Sequence, residues 1–108
     1  MKYSLMNIKT APSRNGYSMS CTFLIDNVEV ADFVDIGDGS EPSFYTYRYK
    51  SNRAQLLYEQ WTDELDNTPE QYIAWMGHII KVTKSLFIDI LHACIVKHKH
   101  FPLELKSL

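Results

Sequence analysis

The chain has 108 residues, of which 45% are hydrophobic, 22% are charged, and only four are glycine and four proline. This composition excludes a disordered or low-complexity chain, and the length predicts a single domain over 1–108 rather than two ordinary ones. Eleven lysines and arginines against thirteen aspartates and glutamates leave a net charge of −2. That balance disfavours a domain that neutralises phosphates over its whole surface, so direct nucleic-acid binding is not the first expectation.

Two cysteines are too few for a disulfide framework, and the sequence therefore indicates a reducing compartment. The N-terminal segment lacks the apolar run of a signal peptide, and no stretch approaches the roughly 18 apolar residues needed to cross a bilayer. We therefore expect a cytoplasmic protein with no membrane partner.

The N-terminal half has the pattern of an antiparallel β-meander. Residues 5–9 predict a first strand, and strict apolar/polar alternation over 17–25 predicts a second whose buried face carries Met19, Cys21 and Phe23. Asp26-Asn27 can form a tight turn, since both residues tolerate positive φ. The returning strand, 28–36, changes parity near Val30-Ala31, and a β-bulge there would restore one buried face.

A fourth strand is predicted over 44–49, where three tyrosines alternate with other residues: Tyr45, Tyr47 and Tyr49. They fit either a stacking platform for unpaired bases or a strand packed on helices. Because the residues between them are less apolar, we expect the tyrosines to point inward.

Helical periodicity begins after Ser51, which with Asn52 is a candidate cap for a helix that ends before Asp66. Its apolar stripe comprises Ala54, Leu57, Tyr58, Trp61 and Leu65. The sequence Thr68-Pro69-Glu70-Gln71 has the form of a capping box and predicts a second helix.

The second helical pattern weakens near 83–85. Beyond Ser85 another apolar stripe runs to the basic residues 97–99, as at a helix C-terminus. The predicted fold class is α+β, an antiparallel meander of about four strands followed by two or three C-terminal helices packed on one face.

Acidic residues are concentrated in the predicted hairpin and the loop that follows it, with no base among them. The six acids are Asp26, Glu29, Asp32, Asp35, Asp38 and Glu41. They are our candidate partner-binding residues, because a negative surface can dock on a basic groove, as a nucleic-acid mimic would. The alternative is a solvated edge that serves solubility.

Two other patterns do not support chemistry. Asp35-x-Gly37-Asp38-Gly39 lacks the ligands that an EF-hand loop needs at its later positions, so a glycine turn explains it better. Cys94 and His98 are four residues apart, but zinc needs four ligands and no second pair follows the required spacing. We expect Cys94 to be a core residue and predict no metal, no cofactor and no catalytic residue.

Three segments are similar to a group of small proteins from phages and other mobile elements. They are the turn 13–17, the hairpin and loop represented by 25–31 and 35–39, and the segment 87–91. The chain departs from that group at 40–42, where a further glycine would be expected. The resemblance implies no catalytic role and favours an accessory protein that acts on larger host or element-encoded machinery.

The sequence thus predicts a non-enzymatic interaction module that binds a larger protein with a basic surface. Its most specific form is an anti-defence inhibitor of a host nuclease or effector complex, as a monomer or a homodimer. The alternative is a nucleic-acid accessory protein that uses the basic C-terminal region and the tyrosine strand. A metal or thiol enzyme around Cys94 and His98 is least favoured.

Overall fold

The structure is a computed structural model that describes residues 2–13, 16–46, 51–67, 72–75 and 78–97. For residues 67, 72–75 and 78–81 it describes the backbone alone. The α-carbons group into two compact units, Met1–Tyr58 and Glu59–Leu108. A single domain therefore stays a prediction.

An antiparallel sheet in the order β1-β2-β3-β4 occupies the first unit. Its strands are β1 (Tyr3–Ser13), β2 (Gly16–Ile25), β3 (Val28–Asp35) and β4 (Ser43–Thr46). Two helices follow the sheet, α1 (Asn52–Asn67) and α2 (Lys84–Val96). The predicted α+β class, a four-stranded meander followed by C-terminal helices, is confirmed.

The β2–β3 hairpin follows the turn chemistry of its sequence. Asp26 and Asn27 both have positive φ, 51° and 65°, as in the two-residue turn that matches the twist of paired strands. In the register, Phe23 is opposite Ala31 while Leu24 is opposite Glu29, so Val30 is the extra residue. The predicted bulge is therefore confirmed.

The inner face of the sheet carries the apolar core of the first unit. Met19, Cys21 and Phe23 are at most 4% exposed, and the predicted burial of these three is confirmed. Phe33 pairs in register with Phe44, and their rings meet edge to face with centroids 5.1 Å apart. The Phe44 ring also lies 6.5 Å from that of Tyr58 on α1.

The expected inward orientation is wrong for Tyr45, which is 60% exposed. Phe44 takes the inner position because it stands opposite Phe33, and the two-residue period of a strand then turns Tyr45 outward. Tyr47 and Tyr49 lie outside the described residues.

Helix α1 begins at the predicted cap. The Ala54 amide donates to the Ser51 hydroxyl (3.3 Å) and the Gln55 amide donates to the Ser51 carbonyl (3.3 Å). The predicted stripe is buried at Ala54, Leu57, Trp61 and Leu65, with Tyr58 half-buried. The helix continues two residues beyond its expected end.

The second predicted helix is wrong, because its residues form a two-stranded antiparallel sheet. The strands are β5 (Tyr72–Trp75) and β6 (His78–Lys81), with Tyr72 opposite Lys81 and Trp75 opposite His78. β-Branched and aromatic side chains favour a pleated strand and lose rotamer freedom in a helix. The capping-box residues 68–71 lie outside the described residues.

Helix α2 begins three residues after the last residue of β6 and is capped by Thr83, whose side chain accepts a hydrogen bond from the Leu86 amide (3.3 Å). Its buried residues are Phe87, Ile88, Ile90 and Leu91. The Phe87 ring meets the Trp61 ring edge to face with centroids 5.3 Å apart. This aromatic contact joins the two helices within the second unit.

Candidate functional site

The six candidate acids are distributed over three places in the first unit. Asp26 lies in the β2–β3 turn, Glu29 and Asp32 lie on β3, and the other three lie at or after the end of β3. An eight-residue strand is about 25 Å long. Asp26 and the acids beyond β3 are therefore at opposite ends of the sheet, as expected for the turn and loop members.

Asp26 has a structural role in the N-terminal end of the sheet. Its carboxylate accepts a hydrogen bond from the Lys2 amide (2.8 Å), and its own amide donates to the Lys2 carbonyl (2.8 Å). These two bonds tie the beginning of the chain to the hairpin turn. Asp26 is exposed, so this structural role leaves it among the candidate partner-binding residues.

The connection between β3 and β4 holds its carboxylates in defined positions. Asp35 accepts a hydrogen bond from the Gly37 amide (2.9 Å), and Asp38 accepts one from the Ser40 amide (2.8 Å). Both are side-chain-to-backbone turns across two residues, which mimic a backbone turn. Hydrogen bonds from the hydroxyl and, to a smaller extent, the amide of Ser40 lower the pKa of Asp38, so this carboxylate stays charged to a more acidic pH than an unperturbed aspartate.

Gly37 places this loop directly against the β1–β2 hairpin. Its φ is +73°, and its carbonyl accepts a hydrogen bond from the Ser13 hydroxyl (2.7 Å). A Cβ at this position would collide with that hydroxyl and lie 2.7 Å from the Tyr17 carbonyl oxygen. The loop is thus seated on the sheet by a contact that only glycine permits.

Two exposed apolar side chains lie beside these acids. Tyr17, whose backbone Gly37 approaches, is 52% exposed, and Ile36, between Asp35 and Gly37, is 56% exposed. We call Asp35, Asp38 and Glu41, with these two side chains, the acidic end. The base nearest to Tyr17 in sequence, Arg14, lies outside the described residues.

The outer face of the sheet carries the two remaining acids. Opposed residues of an antiparallel pair lie on the same face, and the register therefore gives two rows: Met6, Thr22, Asp32 and Tyr45, and beside it Ser4, Leu24 and Glu29. Thr22, at 5% exposure, donates its hydroxyl hydrogen bond to Asp32 (3.0 Å). We call these two rows the outer face.

Tyr45 is the residue of this face that the sequence prediction assigned to the core. The register pairing of Phe33 with Phe44 decides which parity of β4 is buried. That pairing is a contact between two strands, so the alternation of residues within 44–49 cannot reveal it. The one signal in the sequence was that Phe44 is more hydrophobic than Tyr45, which favours burial of Phe44.

The cysteine chemistry considered from the sequence has little support in the described residues. Cys21 is buried, and desolvation, with a smaller effect of the Asp32 charge, raises its pKa to about 11, so it is a poor nucleophile at neutral pH. Cys94 is half-buried rather than fully in the core, and His98 lies outside the described residues. Across the described part of the chain, no three His, Cys, Asp or Glu side chains are grouped to hold a metal ion.

No family model, curated protein or solved structure matches the chain. The resemblance to proteins of mobile elements therefore stays a prediction. Among the described helices, none has the length and apolar character required to span a membrane.

Proposed function

We propose that the protein is a non-enzymatic interaction module that docks its acidic end on a basic surface of a larger protein. The observation that carries this proposal is the seated loop, in which Asp35, Asp38 and Gly37 are each held by a hydrogen bond of 2.7–2.9 Å. A loop ordered before binding loses less conformational entropy when the complex forms.

The composition of the acidic end fits the anatomy of a protein interface. Exposed Tyr17 and Ile36 supply apolar area for a contact, and the surrounding carboxylates supply complementarity to a basic partner. Charges at the rim of an interface act mainly on the rate of association.

In its most specific form, the proposal is a cytoplasmic inhibitor, encoded by a phage or mobile element, of a host defence nuclease or effector complex. Such targets carry basic grooves for nucleic acid, and a surface of carboxylates can compete for them. The support is the charge pattern together with the resemblance of 13–17 and 35–39 to mobile-element proteins. The inhibitor acts as a monomer or a homodimer.

The test begins with capture of the partner from the source cell on the wild-type protein, followed by association kinetics with the purified partner. The triple variant Asp35→Lys, Asp38→Lys and Glu41→Lys should associate more slowly, and the salt dependence of its rate should flatten. The matched control reverses three exposed acids of α1, Glu59, Asp63 and Asp66. It should leave association nearly unchanged.

An association rate for the triple variant that equals wild type at two salt concentrations would refute docking through the acidic end. Equal losses in the triple variant and the α1 control would show that only net charge matters. Folding of both variants is checked by circular dichroism, because Asp35 and Asp38 also accept hydrogen bonds within the loop.

A second candidate, a nucleic-acid accessory protein, is favoured by the exposure of Tyr45, because an outward aromatic ring on a sheet can stack on an unpaired base. Its test is titration of a single-stranded oligonucleotide, with affinity that falls steeply as salt rises. Absence of binding at low salt would exclude it.

A further inference from the structure

We propose that the β4 edge of the sheet pairs antiparallel with β4 of a second copy of the chain, so that one sheet continues across a two-fold axis. This inference goes beyond the proposed function and does not depend on it. Among the described strands, β4 has a neighbour on one side only, β3. Ser43, Tyr45 and Thr46 are exposed, and an edge strand presents backbone amides and carbonyls to an approaching chain.

The two edges of this sheet differ in how well they accept another strand. On the β1 edge, pairing shifts between Met6 and Lys9, and Pro12 has no amide hydrogen to donate. The residues of β4 pair with β3 in an unbroken register and include no charge, glycine or proline. Most of them are aromatic or β-branched, which favours a strand. β4 is therefore the edge suited to the addition of a strand.

The order of charges around β4 selects a second copy as that strand. Asp38 and Glu41 precede β4 in the sequence, and Arg48 and Lys50, which lie outside the described residues, follow it. Antiparallel pairing with a second copy brings the acidic side of each strand beside the basic side of the other, whereas parallel pairing would bring like charges together. The sequence around β4 is thus complementary to a reversed copy of itself, and a two-fold axis satisfies both ends at once.

The side chains of β4 also match across such an axis. Phe44 is opposite Phe33 on the inner face, and Tyr45 therefore lies on the outer face, with 60% of its surface exposed. Opposed residues of an antiparallel pair share a face. The two-fold registers centred on Phe44 or on Tyr45 both keep inner residues opposite inner ones, and both put the two Tyr45 rings directly or diagonally opposite each other. Cross-strand aromatic pairs of this kind stabilise a sheet.

The contact is small, and the dimer should therefore be weak. The four residues that each copy contributes bury much less than the roughly 1,200–2,000 Å² of a standard stable interface. The experiment is sedimentation equilibrium of the full chain from about 10 µM to about 1 mM, the range in which small interfaces of this kind dissociate. We expect the mean molar mass to rise with concentration from that of a monomer toward twice that value.

Nuclear magnetic resonance locates the contact. In a mixture of isotope-labelled and unlabelled chains, filtered nuclear Overhauser effects arise only between copies. We expect these effects between the β4 residues of the two copies, and between their Tyr45 rings in particular.

Tyr45→Lys tests the strand pair, because it replaces an aromatic pair with two like charges at the centre of the contact. It should weaken dimerisation by about tenfold. Tyr45 is exposed, so the variant is expected to fold, as circular dichroism will verify. The matched control Tyr17→Lys changes an exposed tyrosine outside β4 and should leave the dimer unchanged.

A charge exchange tests the antiparallel orientation. Glu41→Lys should weaken the dimer by about two- to fivefold, the effect of an exposed charge placed beside like charges. Adding Arg48→Glu should restore the dimer. Adding Lys9→Glu instead restores the net charge on the distant β1 strand and should not restore the dimer.

Each other outcome overturns this inference in a distinguishable way. A monomer at every concentration would refute the pairing, and a mass that grows beyond the dimer would show that both edges of the sheet pair. A dimer weakened by Tyr17→Lys and not by Tyr45→Lys would place the contact at the acidic end. Failure of Arg48→Glu to restore the dimer would refute the antiparallel match of charges. None of these samples contains the protein partner, so refutation of the dimer leaves the proposed function to its own test.

Discussion

Replacing Gly37 with alanine tests whether the acidic loop is seated on the sheet as described. At φ +73° a residue with a Cβ loses about 1–2 kcal/mol of conformational free energy. The added Cβ also collides with the Ser13 hydroxyl, and losing the Ser13–Gly37 hydrogen bond costs about 0.5–1.5 kcal/mol. Together these effects predict that the free energy of unfolding falls by about 1.5–3.5 kcal/mol.

Urea denaturation measures the total effect, and amide hydrogen exchange locates it. In Gly37→Ala, hydrogen exchange at the amides of residue 37 and Ser40 should accelerate, because displacement of the loop breaks their hydrogen bonds to Asp35 and Asp38. Gly16→Ala is the control, since Gly16 has φ +136° but no neighbouring heavy atom within 4 Å of its Cβ position. It strains the backbone without displacing the loop.

A loss below about 0.5 kcal/mol in Gly37→Ala, with exchange at Ser40 unchanged, would refute the seated loop. Ser13→Ala should lose only the hydrogen-bond component, about 0.5–1.5 kcal/mol. If Ser13→Ala costs as much as Gly37→Ala, the left-handed backbone contributes nothing and the reasoning fails.

Three further predictions concern the interior and the helix ends. Phe23 is 0% exposed, so Phe23→Ala should lower the free energy of unfolding by about 3–5 kcal/mol. A loss under about 1 kcal/mol in urea denaturation would contradict its core position. Thr83→Ala should lose about 0.5–2 kcal/mol while Thr83→Ser retains the cap to Leu86, and equal stabilities of the two variants in thermal unfolding would show that Thr83 caps nothing. Because burial raises the Cys21 pKa from 9.0 to about 11, its contribution to stability is complete below pH 9 and is lost as pH rises through 11. Urea denaturation from pH 8 to pH 11 should therefore show a steeper decline for wild type than for Cys21→Ala, and parallel curves would contradict the shift.

The β2–β3 hairpin could be predicted from sequence because its determinants are local. Alternation over 17–25, the turn residues Asp26-Asn27 and the change of parity at Val30 each act within a few residues. Together they determine strand, turn and bulge without knowledge of any other segment.

The β5–β6 sheet could not be predicted from sequence because two local signals conflict in this segment. The form of Thr68-Pro69-Glu70-Gln71 favours a helix start, and a cap contributes only about 1 kcal/mol. The isoleucines of the following segment favour a strand, and pairing of β5 with β6 adds hydrogen bonds between residues up to nine positions apart. The secondary-structure propensity of a short stretch of sequence does not take account of hydrogen bonds between two strands.

The candidate partner-binding residues, too, could be predicted from sequence only in part. The sequence shows that six acids occur without a base between Asp26 and Glu41, and that some belong to turns. It does not show that Asp26 is bonded to Lys2, or that Gly37 is seated on Ser13, because both contacts join residues 24 positions apart. The structural roles of Asp26 and Gly37 could be recognised only from those long-range contacts.

The irregularity of β1 bears on how the protein behaves at high concentration. β1 is the terminal strand of the sheet, and its pairing with β2 shifts between Met6 and Lys9, where Asn7 takes a φ of +54°. A long, regular edge strand is a template on which another chain can form hydrogen bonds. The kink at Asn7 and the missing amide hydrogen of Pro12 divide the eleven residues of β1 into short segments. The β1 edge of the sheet is therefore a poor template for the addition of strands from other molecules.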